Sequence, residues 1–159
     1  MPFLELGESR FDPNFKIARL SAYQTRLAAQ LFPLVDSCNR IRQNNAHQLQ
    51  FGIEGIEGIE VPQPVAGADP VFLRFPILAR GEVHRAQLVN RLRAAGIGAS
   101  TSYPSAVSDI PGIGRYLAHN QQPCPGARSV AARIITLPTH PYVTAEDIER
   151  MVQVISTSK

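Results

Sequence analysis

The sequence predicts a mixed α/β (α+β) fold: a small mixed, mostly antiparallel sheet flanked by helices and preceded by a long N-terminal helix. Apolar residues repeat at helical spacing over residues 19–50, short apolar runs typical of strands recur after residue 70, and a strongly capped amphipathic stretch follows Thr144. At 159 residues and 44% hydrophobic, the chain can bury one core and is too short for two ordinary domains.

The first predicted element is a long helix over residues 19–50, preceded by an N-terminal segment of residues 1–18. Its apolar stripe comprises Tyr23, Leu27, Leu31, Leu34, Cys38 and Ile41. Pro33 interrupts the pattern, and because an interior proline costs about 3 kcal/mol, we expect a kink or two helices that meet near Phe32. The opposite, polar face includes Arg42. No predicted strand accompanies the helix, so we expect its stripe to need another neighbour.

Residues 51–70 contain the triplet Gly-Ile-Glu three times and end in a proline-rich stretch. A period of three fits neither a strand nor a helix, and the run is too short and too poor in proline for collagen. We interpret it as an extended connector that ends in the turn-forming residues 62–70. Residues 71–159 are the predicted small domain.

The small domain begins with a predicted strand over 71–78, in which Pro76 indicates an edge position or a bulge. A helix over 82–95 follows, and Gly96 provides the left-handed residue that ends it. The side chains expected to be buried on this helix are Val83, Ala86, either Leu88 or Val89, and Leu92. Residues 97–103 are predicted to form a second strand.

The stretch from residue 104 to residue 125 is predicted to be mainly loop, because prolines and glycines recur in it, with a helical turn or two near 113–119. A short helix over 127–134 and a third strand over 134–138 follow. The predicted sheet therefore draws its strands from distant parts of the small domain.

The final helix is the best-specified element. Thr144 is the predicted N-cap with Asp147 three residues later, and Val143 can pack against Ile148 as a hydrophobic staple. The apolar stripe comprises Ile148, Met151, Val152 and Ile155. Since a strand exit and a cap account for this stretch, we interpret His140, Thr144 and Asp147 as structural residues.

Composition limits the chemistry that the chain can perform. Lys16 and Lys159 are the only lysines in the sequence, so a mechanism that needs a positioned amine has almost no candidates. Cys38 and Cys124 have neither a CxxC pattern nor a histidine at ligand spacing, so neither a metal site nor a disulfide is predicted. The histidines expected to face solvent are His47, His84 and His119. We assign no catalytic, cofactor-binding or metal-ligating residue.

Charge and hydropathy argue against two classes of partner. The net charge is +3, the basic residues are dispersed, and no nucleic-acid-binding motif is recognisable, so we predict no nucleic-acid partner. No apolar run approaches the roughly 20 residues of a membrane span, and the first residues lack the pattern of a signal peptide. We expect a cytoplasmic protein without membrane contact.

The stretch "TSYPS" is the best candidate for a ligand contact. A tyrosine and hydroxyl side chains at a predicted strand exit can face a sugar or a phosphate, so Tyr103 and Ser102 are the substrate-facing candidates. A plain strand exit is the alternative. The glycine-rich residues 96–100 follow a helix and precede a strand, the reverse of a phosphate-binding loop, and we reject that function for them.

Five stretches carry a resemblance to a known family: "RLSAYQTRLAAQL", "NRIRQNNAHQL", "FLRFPIL", "RAQLVNRLRAAGIGASTSYPS" and "ARIITLPTHPYVTAEDIERMVQVI". In order and spacing they resemble the C-terminal part of the nucleotide-sugar aminotransferases of the DegT/StrS type, over residues 11–155. The resemblance implies the small domain of a fold type I enzyme, joined through the long helix to a large domain that holds pyridoxal phosphate.

The same resemblance implies that this chain is not catalytic alone. The cofactor lysine belongs to the large domain, which the chain lacks, and Lys16 matches no cofactor lysine. The implied role is to shape the substrate cleft of a homodimeric parent enzyme, with a nucleotide sugar bound only when the large domain is present. At the helix start Arg19 matches the family while its usual asparagine neighbour is missing, and near Tyr103 both family histidines are missing. The alternatives are a stand-alone binding or dimerisation module and a basic nucleic-acid binder.

Overall fold

The computed structural model describes residues 17–103, 105–117 and 124–157, so Lys16, His119 and Lys159 lie outside it. The helices are α1 (Ala22–Leu31), α2 (Val35–Ile53), α3 (Glu82–Ala94), α4 (Pro125–Arg133) and α5 (Ala145–Ser156). The strands are β1 (Ile59–Glu60), β2 (Arg74–Ala79) and β3 (Ile134–Pro138), which form one antiparallel sheet in the order β1-β2-β3. The predicted fold class is confirmed.

One face of the sheet forms the core. Phe75 and Ile77 of β2 and Ile135 and Leu137 of β3 are at most 1% exposed. Apolar side chains of α2, α3 and α5 pack over them, including Leu49, Ile53, Leu88, Leu92, Met151 and Ile155. Because successive strand residues point to opposite faces, the second face carries Arg74, Pro76 and Thr136.

The long helix is divided at Pro33, as expected. A 3-10 turn over Phe32–Leu34 joins α1 to α2. The start of α1 is a capping box, in which Gln24 N donates to Ser21 Oγ and Ser21 N donates to Gln24 Oε1. Even so, α1 contains no buried residue.

The apolar stripe of the long helix is exposed along most of its length. Its exposed members are Tyr23, Leu27, Leu31, Leu34 and Ile41, and Ile17, Leu20, Phe32 and Val35 beside them are exposed as well. Cys38 is half-buried. Only the C-terminal half of α2 enters the core, through Ala46, Leu49 and Ile53. Nothing in the described part of the chain covers the rest of the stripe.

The Gly-Ile-Glu repeat is more regular than its period suggests. α2 continues to Ile53, and Ile59–Glu60 forms β1 along β2. Gly55 and Gly58, with φ near +80°, turn the chain out of the helix and into the strand. The expectation of an extended connector is therefore wrong at the start of the repeat, which is the last turn of α2, whereas Ile59–Glu60 is extended and paired in the sheet. The domain limits at residues 51 and 70 stay predictions.

The expectation of a second strand over residues 97–103 is wrong. One antiparallel bridge joins Ser100 to Thr136, through Ser100 N to Thr136 O at 3.1 Å and Thr136 N to Ser100 O at 2.7 Å. Ser102 then adopts a left-handed φ of 49°, which breaks the extended conformation that further pairing requires. β2 is the central strand of the sheet, but β1 reaches only Leu78 and Ala79, so Pro76 itself is paired on one side, as at an edge.

α3 ends as predicted, since Gly96 has φ 77° and Ile97 N donates to Leu92 O. The prediction that Val83 and Ala86 are buried is wrong. Val83 precedes Leu92 by nine residues, which places the two side chains about 180° apart around the helix. His84 is half-buried, with Nε2 buried and unbonded within the described residues, so its expected solvent-facing position is wrong as well.

α5 has the predicted cap and buried face. Asp147 N donates to Thr144 Oγ1 and Thr144 N donates to Asp147 Oδ2, while Ile148, Met151 and Ile155 are buried. Val143 packs against the core, as the predicted staple requires. Among the helices of the described ranges, none is both long and apolar enough to cross a membrane. The cytoplasmic location stays a prediction.

Candidate functional site

The two substrate-facing candidates lie beside the open side of β3. Ser102 Oγ is 2.9 Å from Thr136 Oγ1, and Ser102 N donates to Ser100 Oγ at 3.1 Å. Tyr103 follows at once and is 63% exposed. It lines a mostly apolar surface recess of about 300 Å³, with Ala106 and Val107 and the α4 residues Ala127, Val130 and Ala131. An exposed phenol beside an apolar recess can contact a sugar or a base ring.

Arg74 and Thr136 connect this loop to the sheet. Arg74 Nε donates to Thr136 Oγ1 at 2.8 Å, and Arg74 Nη2 donates to Thr136 O at 2.8 Å and to Gly98 O. Thr136 Oγ1 in turn donates to Ser100 O at 3.2 Å. Sequence reasoning missed both residues. The available signal was a polar side chain inside each of two apolar strands, at positions that face away from the core.

Arg74 differs from Arg128 and Arg133 in how its charge is compensated. Burial lowers the pKa of its guanidinium, and it forms no ion pair with a carboxylate among the described residues. Arg133, which ends α4, pairs with Glu60 at 2.7 Å and donates through Nε to Ala79 O. Arg128 pairs with Asp109 at 2.6 Å. The hydrogen bond between them lowers the pKa of Asp109 and raises that of Arg128.

His140 lies exposed where β3 ends. Its backbone oxygen accepts from Val143 N at 2.9 Å and from Asn45 Nδ2 at 3.5 Å, and its ring centroid is 6.0 Å from that of Tyr142. Within the described ranges, no three His, Cys, Asp or Glu side chains come together as a metal site. The bonds of His140 thus run through its backbone, and its structural role stays a prediction.

The polar face of α2 holds the same strand exit in place. Asn45, which is 5% exposed, donates to Thr139 O at 3.1 Å, and Arg42 donates to Leu73 O at 2.9 Å. Thr139 Oγ1 donates to Phe72 O at 2.6 Å. The polar face of the long helix therefore contacts the ends of β2 and β3, while the apolar stripe of α1 faces solvent.

Pyridoxal phosphate does not fit the described residues. The cofactor attaches to a lysine amine, and residues 17–157 contain no lysine. A guanidinium, as in Arg74, remains protonated and is not a nucleophilic amine. The described part of the chain therefore provides no point of attachment for the cofactor.

Known proteins match the chain in sequence and in structure. The DegT/DnrJ/EryC1/StrS aminotransferase family model matches residues 11–156. A UDP-N-acetyl-3-dehydro-alpha-D-glucosamine 3-aminotransferase of Acidithiobacillus ferrooxidans is 30% identical over 140 residues. DesV of S. venezuelae, solved in complex with a ketimine intermediate, is 28% identical with a TM-score of 0.76. A DegT DnrJ EryC1 StrS aminotransferase of Brucella abortus shares the fold, with a TM-score of 0.74 at 22% identity.

The matches cover most of this chain and a small part of the others. The match to the A. ferrooxidans protein and the match to DesV each cover 87% of this chain, and the match to the Brucella protein covers 94% of it. The chain in turn spans 36%, 36% and 39% of those three proteins. The family match extends over nearly the whole sequence, and the chain therefore belongs to the DegT/DnrJ/EryC1/StrS aminotransferase family.

Proposed function

We propose that this chain is the C-terminal small domain of a sugar aminotransferase-like protein, which shapes one side of the substrate cleft and does not transfer amino groups by itself. The observation that carries the proposal is the exposed apolar stripe of α1 and α2 on a chain that spans little more than a third of its relatives. A large domain that holds pyridoxal phosphate would cover this stripe and supply the missing lysine.

The energy of the stripe supports a covering partner. Leu27, Leu31 and Leu34 are 41–53% exposed, and Tyr23 and Phe32 are at least 75% exposed. Burying one large apolar side chain stabilises a protein by about 1.5–3 kcal/mol, and a contiguous apolar patch of this kind marks an interaction surface.

The substrate proposed for the parent enzyme is a nucleotide sugar, which would meet the surface formed by Ser102 and Tyr103. The name of the A. ferrooxidans relative, a UDP-sugar aminotransferase, supports this class. The exposed phenol of Tyr103 and the adjacent apolar recess can pack against a sugar or base ring without a charged group.

Reassembly with a large domain tests the proposal. The chain is co-expressed with the remaining two thirds of a related sugar aminotransferase, and we expect co-purification and restored amino transfer to a keto sugar. The variant Leu27→Glu/Leu31→Glu should lose both, while Gln30→Glu, an exposed polar position of the same helix, should keep both. A lysine of the isolated chain that borohydride links to pyridoxal phosphate would contradict the proposal.

The same stripe favours one alternative, a stand-alone module that dimerises through α1 and α2. Sedimentation separates the two functions. A stable, monodisperse dimer that Leu27→Glu/Leu31→Glu converts to a monomer supports the module. Aggregation that grows with concentration supports a small domain without its large domain.

A further inference from the structure

We propose that Arg74, with Ser102 bonded to the same Thr136 hydroxyl and Tyr103 next in the chain, forms an oxyanion subsite on the second face of the sheet. The ligand is a substrate oxyanion, either a phosphate of the nucleotide sugar or the carboxylate of the amino donor. The identity of the ligand rests on the proposed function, whereas anion binding by Arg74 does not.

The guanidinium of Arg74 is fixed before any ligand arrives. Nε and Nη2 donate to the hydroxyl and carbonyl oxygens of Thr136 and to Gly98 O. Nη1 makes no hydrogen bond to the described residues, and it is not among the buried side-chain atoms that lack a hydrogen-bond partner. Since three bonds set the plane of the fork, Nη1 can donate to an oxyanion with little further loss of side-chain freedom.

The charges around Arg74 favour an anion. Its three acceptors are neutral, one hydroxyl and two carbonyl oxygens, whereas Arg128 and Arg133 are neutralised by Asp109 and Glu60. Arg74 is also partly removed from solvent, where a charge-assisted hydrogen bond is stronger than one between neutral groups.

The backbone of Ser102 provides an independent observation. Its φ of 49° is uncommon for a residue with a side chain, and such conformations concentrate at ligand-binding positions. The conformation places Ser102 Oγ 2.9 Å from Thr136 Oγ1, the same atom that receives Arg74 Nε. The Ser102 hydroxyl and the Arg74 guanidinium therefore both bond to Thr136 Oγ1. The exposed Tyr103 is the next residue in the chain.

Nuclear magnetic resonance titration of the intact chain tests the subsite. Inorganic pyrophosphate and glutamate are added separately, and at least one should shift the amide signals of residues 100–103 and Thr136, with the preferred probe identifying the source of the oxyanion. Arg74→Gln should weaken binding at least about tenfold, and Arg74→Lys less, because it keeps the charge and loses the fork. Arg133→Gln removes a paired cation at the other end of β2, where Arg133 donates to Ala79 O, and should leave binding unchanged.

Three results would overturn the subsite: no shift with either probe, shifts centred away from residues 100–103, or equal losses in Arg74→Gln and Arg133→Gln. The wild-type map of shifts decides the question even if Arg74→Gln does not fold. Failure of reassembly with a large domain would contradict the proposed function alone, because this titration uses no second domain.

Discussion

α1 and α5 have the same local design and opposite surroundings. Each begins with a capping box, formed by Ser21 and Gln24 in α1 and by Thr144 and Asp147 in α5. Each carries an apolar stripe, yet α5 buries its stripe in the core and α1 contains no buried residue. Local sequence therefore specifies a helix and its apolar face, whereas burial depends on whether a partner element is present.

The largest expected difference concerns the two stripes. Met151→Ala, at a position 1% exposed, should lower the free energy of unfolding by about 2–5 kcal/mol. Leu31→Ala, at a position 52% exposed, should change it by less than about 0.5 kcal/mol in the monomer. Urea denaturation at low protein concentration measures both. A loss for Leu31→Ala as large as that for Met151→Ala would mean that α1 is covered in solution.

The next effect concerns the contact between the long helix and α5. A Cβ at Gly52 would lie 2.6 Å from Val152 Cγ2, so Gly52→Ala should destabilise the fold by about 1 kcal/mol, after the better helix propensity of alanine is subtracted from the overpacking. Val152→Ala in the same chain should remove the clash. Gly126→Ala in α4 meets nothing within 4 Å and should be neutral or stabilising. The midpoints of thermal unfolding of these variants measure the differences. If Val152→Ala does not restore the stability lost in Gly52→Ala, the contact between residues 52 and 152 is contradicted.

The two caps should differ in what they stabilise. Thr144→Ala should lower the free energy of unfolding by about 1 kcal/mol, because α5 is part of the core. Ser21→Ala should reduce the helical circular dichroism signal without changing the midpoint of unfolding, because α1 can fray alone. A shift of the midpoint by Ser21→Ala would show that α1 unfolds together with the core.

The smallest expected effect is the pH dependence of the caps. The backbone N–H of Thr144 lowers the pKa of Asp147 below its ordinary 3.8. The stability that Asp147 contributes is therefore complete above its pKa in the unfolded chain and is lost as the pH falls through its pKa in the folded chain. Stability should decline below about pH 4, and less steeply in Asp147→Asn, although Asp109 adds a dependence of the same sign. The capping box of α1 contains the neutral Gln24 in place of a carboxylate, so α1 should keep its helical signal in acid. A loss of helix in α1 as the pH falls would contradict the assignment of this capping box.

Some features of the fold could be predicted from residues close in sequence, and others could not. Pro33, Gly96 and Thr144 act on their own turn of the chain, so the break, the stop and the cap were predictable. β1 was not, because Ile59–Glu60 becomes a strand only where the open edge of β2 accepts it. Residues 97–103 have strand-like composition but make a single bridge to β3.

The candidate site shows the same division. Ser102 and Tyr103 were recognisable as a polar cluster at a predicted strand exit, and the structure places Ser102 beside Thr136. Arg74 could be noticed only as a polar residue inside an apolar strand, because the structure alone shows that it forms no ion pair with a carboxylate among the described residues. Whether an arginine meets a carboxylate depends on residues far away in sequence, as the Arg133 pair with Glu60 demonstrates.

The sequence by itself determined the fold class, the break at Pro33, the cap at Thr144 and the family resemblance, because these depend on residues within about one helical turn or on ordered motifs. Only the tertiary structure decided that the stripe of α5 is buried and that of α1 is exposed. It also decided that Arg74 is held by neutral oxygens while Arg133 is paired. Burial and charge compensation both arise where segments distant in sequence meet, and no local pattern specifies that meeting.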